Sequence, residues 1–167
     1  MDARSATRVS PRRSETLSIF NRLHHICIVV HDLDRARAYF ESVEIGPWIE
    51  YPPLAEYSDL SVPNPDAFMK MRYQVCNIGN AQLQLCQPPE QDCPQRRFLN
   101  EKGEGVFHIG FEVPDVDAAE AEGVADGLRV KMRGRRSNGS GFTYFDTADQ
   151  AGGVTLLVRA TPAGSRT

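Results

Sequence analysis

His108-Ile109-Gly110-Phe111-Glu112-Val113-Pro114-Asp115-Val116-Asp117-Ala118-Ala119 is the second copy of a pattern that first occurs as His25-Ile26-Cys27-Ile28-Val29-Val30-His31-Asp32-Leu33-Asp34-Arg35-Ala36. Both stretches read His-Ile-x-apolar-x-Val-x-Asp-apolar-Asp-x-Ala without a gap, at an offset of 108 − 25 = 83 residues. An internal repeat spanning about half the chain sets the architecture before any local feature does. Each copy places a histidine at the same early position of an apolar run. A pseudo-twofold packing of the two copies brings those histidines together at its centre.

Outward from the repeat, residues 24–30 form a short Ile- and Val-rich run that reads as a strand covered on both faces. Alternation places His25, Cys27 and Val29 on one face and Ile26, Ile28 and Val30 on the other. Asp32 is the expected N-cap of an amphipathic helix over 33–43, with Leu33, Ala36, Phe40 and Val43 at helical spacing. Gly46-Pro47 ends it, and Trp48–Tyr51 is a candidate second strand. Residues 52–68, with several prolines, are expected to be an irregular loop at a pocket mouth. Strands at 70–78 and 81–87 flank Gly79-Asn80, a hairpin signal. On the second of these, Gln82, Gln84 and Cys86 share one face, and buried amides need partners.

Residues 89–104 read as a polar connector, after which the order restarts. A strand at 106–113 carries His108, Gly110 and Glu112 on one face. Asp115 caps a helix that runs to about Asp126, with Gly127 after its end. A short strand at 128–132, a basic loop at 133–141, and strands at 142–146 and 154–159 complete the unit, with Thr155 and Leu157 on one face. The fold class is therefore α+β: two tandem β-α-β-β-β modules forming one cupped mixed sheet with the helices outside. The domain spans 22–160, module one 22–88 and module two 105–160, with disordered tails at 1–21 and 161–167.

The whole chain bounds the function. Its 167 residues suit one domain, with 41% hydrophobic and 25% charged residues. A formal charge of −3 leaves no global basic field for nucleic acid. No apolar run approaches the roughly 18 residues of a membrane span. Cys27, Cys76, Cys86 and Cys93 show no Cys-x-x-Cys spacing and read as reduced thiols, so the expected compartment is cytoplasmic. The Arg- and Ser-rich start lacks a signal-peptide core; its composition also allows a transit peptide.

Several segments together resemble the glyoxalase / vicinal oxygen chelate (VOC) superfamily. They are the two His-Ile repeats, Leu83-Gln-Leu-Cys-Gln-Pro88, Phe98-Leu-Asn-Glu-Lys-Gly-Glu-Gly-Val-Phe-His-Ile109, Gly141-Phe-Thr-Tyr-Phe-Asp-Thr147 and Gly152-Gly-Val-Thr-Leu156. The Phe98–Ile109 run is most similar to the methylmalonyl-CoA epimerase-like branch. The resemblance implies a divalent metal (Co, Mn, Zn, Ni or Fe) held in the cup by His25, Gln84 and His108. The fourth ligand of the family is a glutamate, and Leu157 stands at its position. Two imidazoles and an amide make a weaker site than one with a carboxylate, so a metal-free cup is the other possibility.

The resemblance implies an enzyme of isomerase, epimerase or lyase type acting beside a carbonyl through enolate stabilisation. Its substrate would be an acyl-CoA or polyketide-like carbonyl compound. The alternative is a metal-free protein that sequesters a hydrophobic or aromatic molecule. Candidate catalytic residues are His25, His108 and Glu112, with a strand-end rim residue as the plainer alternative for Glu112. Tyr144 and Asp146 are candidate donors or bases with core and turn roles as the plainer alternative. Arg129, Lys131, Arg133, Arg135 and Arg136 read as a solvated edge or as a dock for an anionic substrate. A homodimer is expected from the resemblance alone.

Overall fold

The two repeat strands lie side by side. β1 (Leu23–Val29) and β6 (Gly105–Glu112) pair antiparallel at the middle of the sheet, with His108 opposite Cys27 and Gly110 opposite His25. The computed structural model describes residues 18–51 and 57–162. The remaining strands are β2 (Ile49–Glu50), β3 (Asp59–Ser61), β4 (Arg72–Ile78), β5 (Ala81–Gln87), β7 (Val130–Arg135), β8 (Gly141–Phe145) and β9 (Thr155–Ala160). Among the described residues they form one curled sheet in the order β2-β4-β5-β1-β6-β9-β8-β7-β3. The halves mirror each other about β1 and β6. β5 runs parallel to β1, and β9 runs parallel to β6.

The repeat also sets the outer helices. α1 (Leu33–Ser42) starts at Asp32, which accepts from the Arg35 amide, and α4 (Val116–Ala125) starts at Asp115, which accepts from the Asp117 and Ala118 amides. Such caps contribute about 1 kcal/mol each. The period-2 alternation of β1 sorts its side chains as expected. Val30 and Ile28 pack with Leu33 and Ala36 of α1, while Cys27 and Val29 join Cys86, Tyr144 and Leu157 on the concave side. Burial of this concave cluster fixes which face of each strand turns inward.

Four segments depart from the sequence expectations. Within 52–68, residues 52–56 lie outside the described residues, but β3 and a short helix, α2 (Pro65–Met69), follow. β3 leaves its own module and pairs antiparallel with β7, placing Asp59 opposite Arg135 and Ser61 opposite Arg133. The connector 89–104 contains α3 (Pro94–Lys102), which buries Gln95 and Leu99. The strand expected at 128–132 lies at Val130–Arg135, because the basic residues beyond 132 are neutralised locally. The terminal segments 1–17 and 163–167 are outside the described residues, while Ile19 and Phe20 of the expected tail pack beside Val113 and Phe145.

That neutralisation centres on Arg135, only 8% exposed. Its guanidinium donates to Asp117 at 2.7 Å, Glu120 at 2.7 Å, Thr143 Oγ1 at 3.0 Å and the Phe142 carbonyl at 2.6 Å. Arg133 adds Glu120 and, across to β3, Asp59, both at 2.9 Å. Removing one partner from a buried ion pair leaves the other charge uncompensated. Arg135→Met should therefore cost about 3 kcal/mol of stability in urea denaturation. A midpoint unchanged from wild type would show that the network contributes nothing.

Candidate functional site

β1 does not pair regularly with β6. Leu23 faces Phe111 and His25 faces Gly110, so two steps on β1 answer one step on β6 and His24 is the extra residue of a bulge. A bulge locally breaks the alternation of faces. It brings the His24 ring to His25, with their Nδ1 atoms 2.8 Å apart. Across β6 the His25 ring fills the space above Gly110, where a Cβ would stand 2.1 Å from His25 Cε1. His25 Nε2 then reaches His108 Nε2 at 2.9 Å, the two rings perpendicular. The repeat-related histidines thus meet as the offset of 83 implies.

The row continues in both directions. His24 Nε2 lies 3.0 Å from Arg159 Nη1 on β9 and 3.8 Å from Glu112 Oε2. His108 packs edge-on against Tyr144, ring centroids 5.0 Å apart. Burial holds all three imidazoles neutral near pH 7. It pushes His25 well below its ordinary value, aided by His108, His24 and Arg159. His108 is lowered to about 3 by burial. His24 is lowered to about 4 by burial and by the charges of Arg159 and Arg22. Burial also raises the Tyr144 phenol well above its usual range, so it remains a donor.

These shifts carry a pH dependence. Each histidine is lowered in the folded state, so below pH 6.5 the unfolded chain binds more protons than the folded one. Stability must therefore rise with pH across the window from about 3 to 6.5. Going from pH 7 to pH 5 costs about 2 kcal/mol for a histidine charged only in the unfolded chain. Denaturation midpoints should fall over that interval, and less steeply in His108→Gln. Equal slopes in the two proteins would contradict the neutral His108.

The cup is lined by His25, Gln84, His108, Tyr144, Leu157 and Arg159, with an aromatic wall of Tyr51, Tyr57, Tyr73, Phe68 and Phe142. Leu157 is 3% exposed, opposite Gly110 on β6 and Tyr144 on β8. Gln84 donates from Nε2 to Gln82 Oε1 at 2.9 Å, so its own Oε1 is the atom left for a ligand. Glu112 is not part of the cup lining; it stands behind the row beside His24 and accepts from Thr161 at 3.2 Å. Asp146 faces outward and pairs with Arg129 at 2.8 Å and Lys131 at 4.0 Å. Of the basic run only Arg136 lines the cup, its guanidinium 4.6 Å above the Tyr57 ring and bonded to the Tyr57 hydroxyl at 3.2 Å.

Of two further functional candidates, His24 has no signal in strict alternation, which puts it on the face away from His25, whereas Arg159 does, two residues beyond Leu157 on the same face of β9. Tyr73 had one: it pairs with Cys86, next to Gln84, on the adjacent strand.

A family model described as the Glyoxalase/Bleomycin resistance protein/Dioxygenase superfamily matches residues 24–145. The chain belongs to this superfamily. Within the superfamily it is similar to the mitochondrial methylmalonyl-CoA epimerase of Homo sapiens, 31% identical over 133 residues, covering 78% of this chain and 66% of that protein. The Bos taurus protein of the same name is 30% identical over 142 residues, covering 83% and 74%. A solved Streptomyces coelicolor methylmalonyl-CoA epimerase variant in complex with 2-nitronate-propionyl-CoA is 29% identical, with a TM-score of 0.62, covering 86% of this chain and 99% of that one. No helix among the described residues is long and apolar enough to cross a membrane.

Proposed function

We propose that this superfamily member is an epimerase-type isomerase that moves a proton beside the thioester carbonyl of a small acyl-CoA. The observation that carries the proposal is the neutral, buried His25–His108 pair in the floor of a cup, next to the Tyr144 phenol and the Arg159 guanidinium. The methylmalonyl-CoA epimerases it resembles support the choice of substrate class.

Removing a proton next to a carbonyl is slow because negative charge develops on the carbonyl oxygen. Donors fixed in a dry site stabilise that charge without reorganising. Tyr144 and Arg159 are such donors. His25 and His108 are the imidazoles that line the cup; burial makes them weak bases at rest, and a bound thioester that displaces their shared hydrogen bond would free a lone pair to take up the α-proton.

The residues present also bear on a metal. The His25 and His108 Nε2 atoms, 2.9 Å apart, are near enough to approach one ion. His25, His108 and the Gln84 amide oxygen are the groups that would hold a divalent ion, and when bound it would supply Lewis-acid polarisation of the carbonyl. Leu157 adds no charge to that set. Among the described residues no cluster of three or more His, Cys, Asp or Glu side chains is arranged to hold a metal.

The test is solvent exchange. Methylmalonyl-CoA incubated with the protein in D2O should take up deuterium at its α-carbon, and His25→Gln and His108→Gln should each slow this at least a hundredfold, about 2.7 kcal/mol. The second function, sequestration of an aromatic molecule, is favoured by the Phe68–Phe142 stack with Tyr57 edge-on to both rings. Stoichiometric binding with no exchange for any 2-substituted acyl-CoA would select it over the isomerase.

A further inference from the structure

The directions of the hydrogen bonds in the histidine row follow from one residue. Arginine has donors only. Arg159 Nη1 therefore donates to His24 Nε2 at 3.0 Å, and the His24 proton sits on Nδ1. That N–H donates to His25 Nδ1 at 2.8 Å, so the His25 proton sits on Nε2. His25 Nε2–H in turn donates to His108 Nε2 at 2.9 Å, and the His108 proton sits on Nδ1. His108 Nδ1 is buried and has no partner among the described residues, where an open-ended row must leave one donor over. A second proton on His25 would set two N–H groups against each other at 2.8 Å, so the row holds one proton per ring.

A metal bridging the pair needs lone pairs on both Nε2 atoms. His25 would have to move its proton to Nδ1, and His24 would then carry its own on Nε2, facing the Arg159 donor at 3.0 Å. The acceptor available to that alternative is Glu112, 3.8 Å from His24 Nε2. We infer that Arg159 and His24 are positioning residues that hold His25 in the Nε2–H tautomer and thereby oppose capture of a divalent cation by the His25–His108 pair. The inference stands whether or not the protein turns over an acyl-CoA.

Long-range proton–nitrogen NMR of the imidazoles and titration with Co²⁺ alone test it. In the wild-type protein His25 should show a protonated Nε2 and an accepting Nδ1, and His108 the reverse. Arg159→Met and His24→Phe should each bind Co²⁺ about tenfold more tightly, about 1.4 kcal/mol. Arg159→Lys, which keeps a donor, should retain the wild-type affinity and tautomer. His24→Phe keeps the Arg159 charge, so tighter binding in Arg159→Met alone would be a charge effect and would overturn the inference. Wild-type His25 protonated on Nδ1 would overturn it without any variant.

Discussion

Gly110→Ala should cost about 3 kcal/mol of stability and abolish any exchange activity that the histidine pair supports. The new methyl carbon would stand 2.1 Å from His25 Cε1 and 2.5 Å from both ring nitrogens. The ring has little freedom to retreat. It is 3% exposed and is held by His24 on one side and His108 on the other. Either the strands separate or the ring leaves the row. A double-mutant cycle distinguishes the cause. In a His25→Ala background the Gly110→Ala cost should largely vanish, because the colliding atoms are gone. An equal cost in both backgrounds would place the damage in the backbone of β6 and not in the ring.

Leu157→Glu should act in opposite directions with and without metal. Leu157 shares the cup with His25, Gln84 and His108 and is buried between Gly110 and Tyr144. A carboxylate there gives a divalent cation its first anionic ligand, so affinity for Co²⁺, Mn²⁺ or Zn²⁺ should rise at least tenfold, about 1.4 kcal/mol. Without metal the same group is a buried, unpaired charge, and the protein should lose about 3 kcal/mol of stability. Calorimetric titration and melting in chelator measure the two halves, with Leu157→Gln as the uncharged control. Equal metal affinity in the leucine and glutamate proteins would show that position 157 does not face the histidines.

Much of the fold was legible because it rests on repetition. The 83-residue offset carries a strand, a capping aspartate and a helix with it, and each copy folds the same way. Inward-facing Gln84 and Leu157 were likewise readable, since period-2 alternation holds along β5 and β9. The bulge was not legible, because a register shift is a property of two paired strands and not of either alone. It takes His24 from the expected outer face into the row. β3 was hidden for a related reason: three residues are too few for a pattern, and its partner lies more than seventy residues away. α3 did carry a signal, Pro94 at its start and Gly103 beyond its end. Its largely polar surface obscured that signal, since only Gln95 and Leu99 are buried.

The excursion of β3 has a consequence for the chain as it leaves the ribosome. Module one has its last strand, β5, complete at Gln87, yet β1 still lacks β6 and β3 lacks β7. β3 stays open until Arg135 has emerged, and β1 until Glu112 has emerged, 112 − 87 = 25 residues after Gln87. At roughly 5–20 residues per second the β1 edge is open for about 1–5 s. For that time the nascent half presents an Ile- and Val-rich strand with unpaired backbone groups, the kind of edge that recruits a second chain. Slow translation between residues 88 and 112 would lengthen the exposure of that edge.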